Sequence, residues 1–232
     1  MQSVAVVGAQ GYVGSALYAK LAGHEQYSIT AVTRENYSDA EKGTYDVLIN
    51  CAMPSARFWA KNNPEKDYVE TVEKTVRLLY RWNFKKFIQI SSISARSQLD
   101  TLYGRHKAAA EKLVDIAEHL VIRLGPMYSP ELTKGVLVDI REEKKVFVNG
   151  KSRYCFAPLD FNVGWIASHL DRQGIVEVGA RNSIALEDLA SQLGATTSFE
   201  GALDHQEIES PEQDFPDVHD ILAFMDKWGK QL

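Results

Sequence analysis

Apolar residues along this chain follow two rhythms. From Val4 to Gly8 they run without a break, and from Tyr12 to Ala22 they return at Val13, Leu17 and Leu21, the spacing of one helix face. Strand, turn and helix are the prediction. Ser28 to Thr33 and Tyr45 to Cys51 are further continuous apolar runs, as expected of strands in a parallel sheet covered on both faces. Arg34 to Thr44, between them, is polar and too short for a helix plus another strand, so the sheet is expected to lack an element there. Pro64 to Trp82 has proline near its start and Val69, Val72, Val76, Leu78 and Leu79 on one stripe, which predicts a long helix. A strand at Lys86 to Ser91, a helix at Leu102 to Glu118 and a strand at Leu120 to Leu124 continue the alternation. The fold class is α/β with a doubly wound parallel sheet.

Past Gly125 and Pro126 the pattern is less regular. Helices are expected near Glu131 to Ile140 and Val163 to Leu170, short strands near Val146 and Tyr154, and a strand at Ile175 to Val178. Leu186 to Leu193 and Ile221 to Trp228 read as amphipathic helices. Residues 1–124 are therefore taken as the core, and 125–232 as the last sheet strands interleaved with a small C-terminal substrate-side lobe. The acidic stretch from Glu207 to Asp217 reads as a solvated loop.

Composition narrows the function classes. The net charge of -5, from 26 basic and 31 acidic residues, gives no electrostatic footprint for nucleic acid or an anionic membrane surface. No run approaches the roughly 18 apolar residues of a membrane span. Met1-Gln2-Ser3 leads straight into the first strand without the pattern of a secretory signal, and Cys51 and Cys155 lack disulfide or metal-ligand spacing. A cytoplasmic protein with a small-molecule substrate is the expectation. The six histidines form no ligand-spaced pair with a third group, so no metal site is expected.

The turn after the first strand reads Gly8-Ala9-Gln10-Gly11-Tyr12-Val13-Gly14 and opens a helix, the context a Rossmann-like dinucleotide site requires. Gly8 would permit the tight turn, Gly11 the approach of backbone to pyrophosphate, and Gly14 close packing of helix on strand. The helix N-terminus would offer free N–H groups to the phosphates. Thr33 and Arg34 end the second strand, where a basic residue suits a 2′-phosphate. Arg34 thus favours NADP over NAD, the alternative being a solvated surface arginine.

Tyr103 and Lys107 lie four residues apart on a predicted helix, on one face. A phenol near pKa 10 is a poor base at neutral pH, and a neighbouring ammonium is expected to lower that value. Tyr103 could then pass a proton to or from a carbonyl or carbinol oxygen while hydride moves on nicotinamide. Ser91 and Ser92 end the preceding strand, at the sheet edge where ligands of open α/β folds bind.

Taken together, these motifs resemble the short-chain dehydrogenase/reductase superfamily, and most of all its extended NAD-dependent epimerase/dehydratase branch. GAQGYVG resembles the branch's glycine motif, INCA (Ile49 to Ala52) a strand segment lining the cofactor, and SSIS with YGRHK its Ser and Tyr-x-x-x-Lys motifs. VIRLGPMYSP (Val121 to Pro130) and VEVGARNSIALEDLA (Val176 to Ala190) resemble its later strands and turns. The resemblance implies catalytic roles for Ser92, Tyr103 and Lys107, with Ser91 as the fallback. It also implies cofactor contacts from Asn50, Cys51, Ala52, Ser91, Gly125 and Met127, and from Lys107 on the nicotinamide ribose. Substrates of the branch are often nucleotide-linked sugars, and many relatives form a homodimer through helices matching Pro64 to Trp82 and Leu102 to Glu118. Where the branch usually has Asn-Val-x-Gly-Thr, this chain has Thr71-Val72-Glu73-Lys74-Thr75.

Several residues keep two readings. Arg141, Arg153 and Arg181 are diphosphate ligands or ion-paired surface groups; Phe58, Trp59 and Tyr128 line a pocket or sit in the core. His106 reads as structural or exposed. The competing function is a non-catalytic dinucleotide sensor of the same fold, against which the intact Tyr103 and Lys107 weigh.

Overall fold

The computed structural model describes residues 1–229. Its first half runs β1 (Gln2–Val7), α1 (Tyr12–Ala22), β2 (Tyr27–Val32), α2 (Tyr37–Ala40), β3 (Thr44–Asn50), α3 (Arg57–Asn62), α4 (Pro64–Tyr68), a π turn (Val69–Glu73), α5 (Lys74–Arg81), β4 (Asn83–Ser92), α6 (Ser94–Ser97), α7 (Leu102–Glu111) and β5 (Leu120–Leu124). The second half adds β6 (Met127–Tyr128), α8 (Val136–Arg141), β7 (Arg153–Tyr154), β8 (Ala157–Pro158), α9 (Leu159–Ser168), β9 (Gly174–Val178), β10 (Ile184–Ala185), α10 (Leu186–Gln192) and α11 (Asp220–Gly229).

Six strands form one sheet in the order β2-β1-β3-β4-β5-β9, as the doubly wound α/β reading requires. β1 pairs in parallel with β2 on one side and β3 on the other, so the winding reverses beside β1. That switch point opens a crevice at the carboxyl ends of the strands. The registers place Val7 opposite both Val32 and Asn50, and Asn50 opposite Gln89, so the ends of β1, β2 and β3 lie in a row and β4 runs on past it to Ser92. The sheet ends at β2, which only the single-turn helix α2 connects to β3. Ala5, Val7, Leu48 and Phe87 pack with Leu78, Trp82 and Val121 into a core beneath this row; each large side chain buried there contributes about 1.5–3 kcal/mol.

Contacts divide the chain into two units, residues 1–123 with 163–176, and residues 124–162 with 177–229 among those described. The second unit holds two small strand pairs, β6 with β8 and β7 with β10. No helix among the described residues is long and apolar enough to cross a membrane.

Three sequence expectations change. The long helix from Pro64 is interrupted by a π turn; Val72 and Leu78 of the expected stripe are buried, together with Asp67, Thr71 and Thr75, while Val69, Val76 and Leu79 are half-buried. The helix from Leu102 stops at Glu111, where the amides of Leu113 and Val114 tighten onto Ala110 and Glu111. Val146 makes only an isolated bridge to Phe199 rather than a strand.

Candidate active site

Gly8 has φ +84°, and a Cβ there would lie 2.8 Å from the Ala52 Cα, so the loops after β1 and β3 can approach only because this residue is glycine. A Cβ on Gly14 would meet the Gly8 carbonyl oxygen well inside contact distance. Gly11 caps α1 and donates its N–H to the Gly8 carbonyl at 2.9 Å, and no side chain caps the helix. Gln10, Tyr12 and Val13 complete the turn at the N-terminus of α1, where the positive end of the helix dipole suits an anion. The turn therefore fits a dinucleotide pyrophosphate.

Neighbouring strand ends contribute polar atoms. Asn50 is buried, donates to Gln89 Oε1 at 3.1 Å and accepts the Ala52 N–H at 3.1 Å. Cys51 hydrogen-bonds the Val7 carbonyl through its amide, and burial pushes its thiol up to about 12, which makes it a poor nucleophile. Thr33 is held by the Asn36 Oδ1 at 2.7 Å, leaving Arg34 exposed at the end of β2.

β4 and α7 bring the reactive groups together. The Thr101 side chain caps α7 by accepting the Gly104 N–H at 3.0 Å, and a Cβ on Gly104 would strike the Ser94 carbonyl, so α6 packs directly on α7. Ser92 Oγ accepts the Ser94 N–H at 3.2 Å, and the Ser92 hydroxyl acts on the Tyr103 phenol to favour its ionised form. Ser91 is not part of this group: its hydroxyl donates to Glu111 Oε1 at 2.6 Å, and Arg123 grips both oxygens of the same carboxylate at 3.1, 3.1 and 2.7 Å.

Tyr103 and Lys107 are 7% and 4% exposed. Lys107 Nζ lies 5.4 Å from the Tyr103 ring centroid. Burial pushes Tyr103 up to about 12, opposed by the Ser92 hydroxyl and the Arg57 charge. Burial pulls Lys107 down to about 7, opposed by Asp67 and Glu111. This corrects the expectation that Lys107 would lower the Tyr103 pKa: desolvation outweighs it, and the opposing cation is Arg57 at the start of α3.

Asp67, Arg57 and Glu111 escaped the sequence reading. The signal that could have found Asp67 is a polar stripe, Asp67, Thr71 and Thr75, at helical spacing. His106 is structural, its Nδ1 2.6 Å from Asp67 Oδ2.

In the second unit, Gly125 donates to the Val178 carbonyl and Met127 pairs with Ala157. Tyr128 stacks on Phe224 at 4.7 Å, whereas Phe58 is exposed. Arg153 contacts Ser183 and Glu207, Arg181 pairs with Asp217, and Arg141 lies 3.7 Å over Trp228, so all three arginines are engaged.

The profile of the NAD dependent epimerase/dehydratase family matches residues 4–138, more than half of the chain, from within β1 to within α8. The chain belongs to that family. It is thus an NAD(P)-dependent enzyme of epimerase/dehydratase type. Solved structures with the same fold include RMD from Pseudomonas aeruginosa complexed with NADPH (18% identity, TM-score 0.75, 99% of this chain and 100% of that one). UDP-glucuronic acid 4-epimerase from Bacillus cereus, with a UDP-sugar analogue and NAD, is 17% identical at TM-score 0.78, covering 99% of each chain. dTDP-4-dehydrorhamnose reductase from Bacillus anthracis, in complex with NADP, is 14% identical at TM-score 0.76, covering 98% of this chain and 99% of that one. No curated protein matches the sequence.

Proposed function

We propose that the chain is an NADP-linked reductase or epimerase acting on a carbonyl or carbinol carbon of a nucleotide-linked sugar. The observation that carries this reading is the burial of Tyr103 and Lys107 together on α7, with Lys107 Nζ 5.4 Å from the Tyr103 ring centroid, next to the strand that ends in Ser92. The sugar-nucleotide class is taken from the named ligands and substrates of the neighbours.

In this reading the glycine turn and the α1 amides hold the pyrophosphate, Arg34 the 2′-phosphate, and Asn50, Cys51 and Ala52 line the cofactor. When bound, the nicotinamide supplies or takes up hydride. Ser92 and Tyr103 hold the substrate oxygen. Tyr103, protonated at neutral pH, donates its proton to the oxygen as the carbonyl is reduced and recovers one through the neighbourhood of Lys107.

Replacing Tyr103 by Phe is expected to leave NADPH affinity unchanged and to cut turnover about 10²- to 10⁴-fold, the scale of lost acid–base catalysis. Titration calorimetry and steady-state assay over a keto-sugar panel read the two quantities. Undiminished turnover would overturn the mechanism. NADPH binding without oxidation by any panel member would favour the sensor.

A further inference from the structure

The mechanism leaves one buried carboxylate unused. Asp67, fully buried on α4, faces α7 with Oδ2 2.6 Å from His106 Nδ1, and its Oδ1 has no hydrogen-bond partner. One turn further on, the buried Thr71 Oγ1 is likewise unpartnered, while the Thr71 carbonyl accepts the Thr75 hydroxyl at 2.7 Å. Between them the helix widens into the π turn Val69–Glu73, a feature often found at functional sites. His106, the clamp on Asp67, immediately precedes Lys107 on α7.

A buried ammonium needs a compensating charge. Two carboxylates act on Lys107, Asp67 and Glu111. Glu111 is already committed to Ser91 and Arg123. Glu70 and Glu73 of the π turn pair with Lys74 and Arg77, α6 and β4 contain no acidic residue, and Arg57 of α3 acts on Tyr103. That leaves Asp67.

We propose that Asp67, clamped by His106, is a positioning residue of the reaction centre: it supplies the negative charge against which the Lys107 ammonium is held beside Tyr103. The proposal rests on the function assigned above to Tyr103 and Lys107. It makes the His106–Asp67 bond a support of the chemistry, acting through Lys107 without touching substrate.

The test reads the Lys107 amine directly, by NMR titration of full-length protein labelled with ¹³C at the lysine ε carbon. The Lys107 signal is identified by its loss in Lys107→Arg. The wild-type midpoint is expected at about 7. Asp67→Asn should lower it by about one pH unit or more, and Asp67→Glu should restore most of the difference. A midpoint in Asp67→Asn within about 0.3 pH unit of wild type would overturn the proposal. Asp67→Ser answers the same question should the asparagine variant fail to fold, which a thermal melt shows. A parallel pH profile of NADPH-linked turnover should move with the NMR midpoint while the KM for NADPH stays constant; a fall in kcat at every pH with no displacement would mark Asp67 as merely structural. Wild-type protein that binds no NADPH would sink the enzymatic reading, yet the NMR titration would still decide the role of Asp67.

Discussion

An exposed lysine ionises near 10.5, but the buried amine of Lys107 does so at about 7. Between those values the unfolded chain keeps a proton that the folded chain has released, so the penalty for burying Lys107 shrinks as pH rises. Methionine at this position has no such dependence. The stability of wild type relative to Lys107→Met should therefore improve from pH 7 to pH 10 by on the order of 2–4 kcal/mol, measured by urea denaturation at both values. A difference that stays flat would show that the amine is hydrated when folded. Arg34 allows a second test: Arg34→Ala should weaken NADPH binding about tenfold and leave NADH unchanged, because a solvent-facing arginine gains from the 2′-phosphate only what one charge-assisted contact supplies. Equal losses for both cofactors would remove Arg34 from the 2′-site. The juxtaposition of Tyr103 and Lys107 was legible in sequence because four-residue spacing on a helix fixes two side chains on one face. Asp67 was not, since the polar stripe Asp67, Thr71 and Thr75 reads as a solvated helix face until α7 packs on it.

Among the elements, α7 depends on a tie to the sheet that its own sequence does not advertise. Glu111 ends the helix, and its carboxylate collects Ser91 from β4 and Arg123 from β5. Glu111→Ala would leave Arg123 without its buried counter-charge and should cost about 3–5 kcal/mol, whereas Glu111→Gln, which retains a hydrogen-bond acceptor, should cost less. Thermal melts of the two variants check the order; equal losses would mean that packing rather than charge holds the end of α7. This tie also explains why the sequence overran the helix. Leu113, Val114 and Ile116 continue a helix-compatible apolar pattern past Glu111, yet the backbone there closes into turns. The strands were legible for the opposite reason: each of β1, β3 and β4 is an apolar run buried on both faces, and no local tie competes with that signal. The π turn had no such signature, because Val69 and Val72 fit an ordinary helix equally well.

On the scale of the whole molecule, the net charge of -5 opposes the approach of a polyanionic dinucleotide, while in the proposed site the glycine turn and Arg34 would attract it only at close range. Electrostatic reach depends on salt: the screening length is about 30 Å at 0.01 M and about 8 Å at 0.15 M. At low salt an arriving anion experiences charges across much of the protein; near physiological salt it experiences mainly the α1 amides and Arg34. The association rate of NADPH should therefore rise, by about two- to fivefold, between 0.01 M and 0.15 M salt, opposite to the fall seen when a cleft steers its ligand electrostatically. Dissociation breaks short contacts with backbone amides, which are less screened, and should change less over the same range. Stopped-flow measurement of the fluorescence change on NADPH binding separates the two rates. In Arg34→Ala the rise with salt should be steeper, because the local attraction that offsets the long-range repulsion is gone. An association rate that falls with salt in wild type would mean that positive potential at the strand ends outweighs the charge of the chain as a whole, and the glycine turn would then be only part of a larger anion-attracting surface.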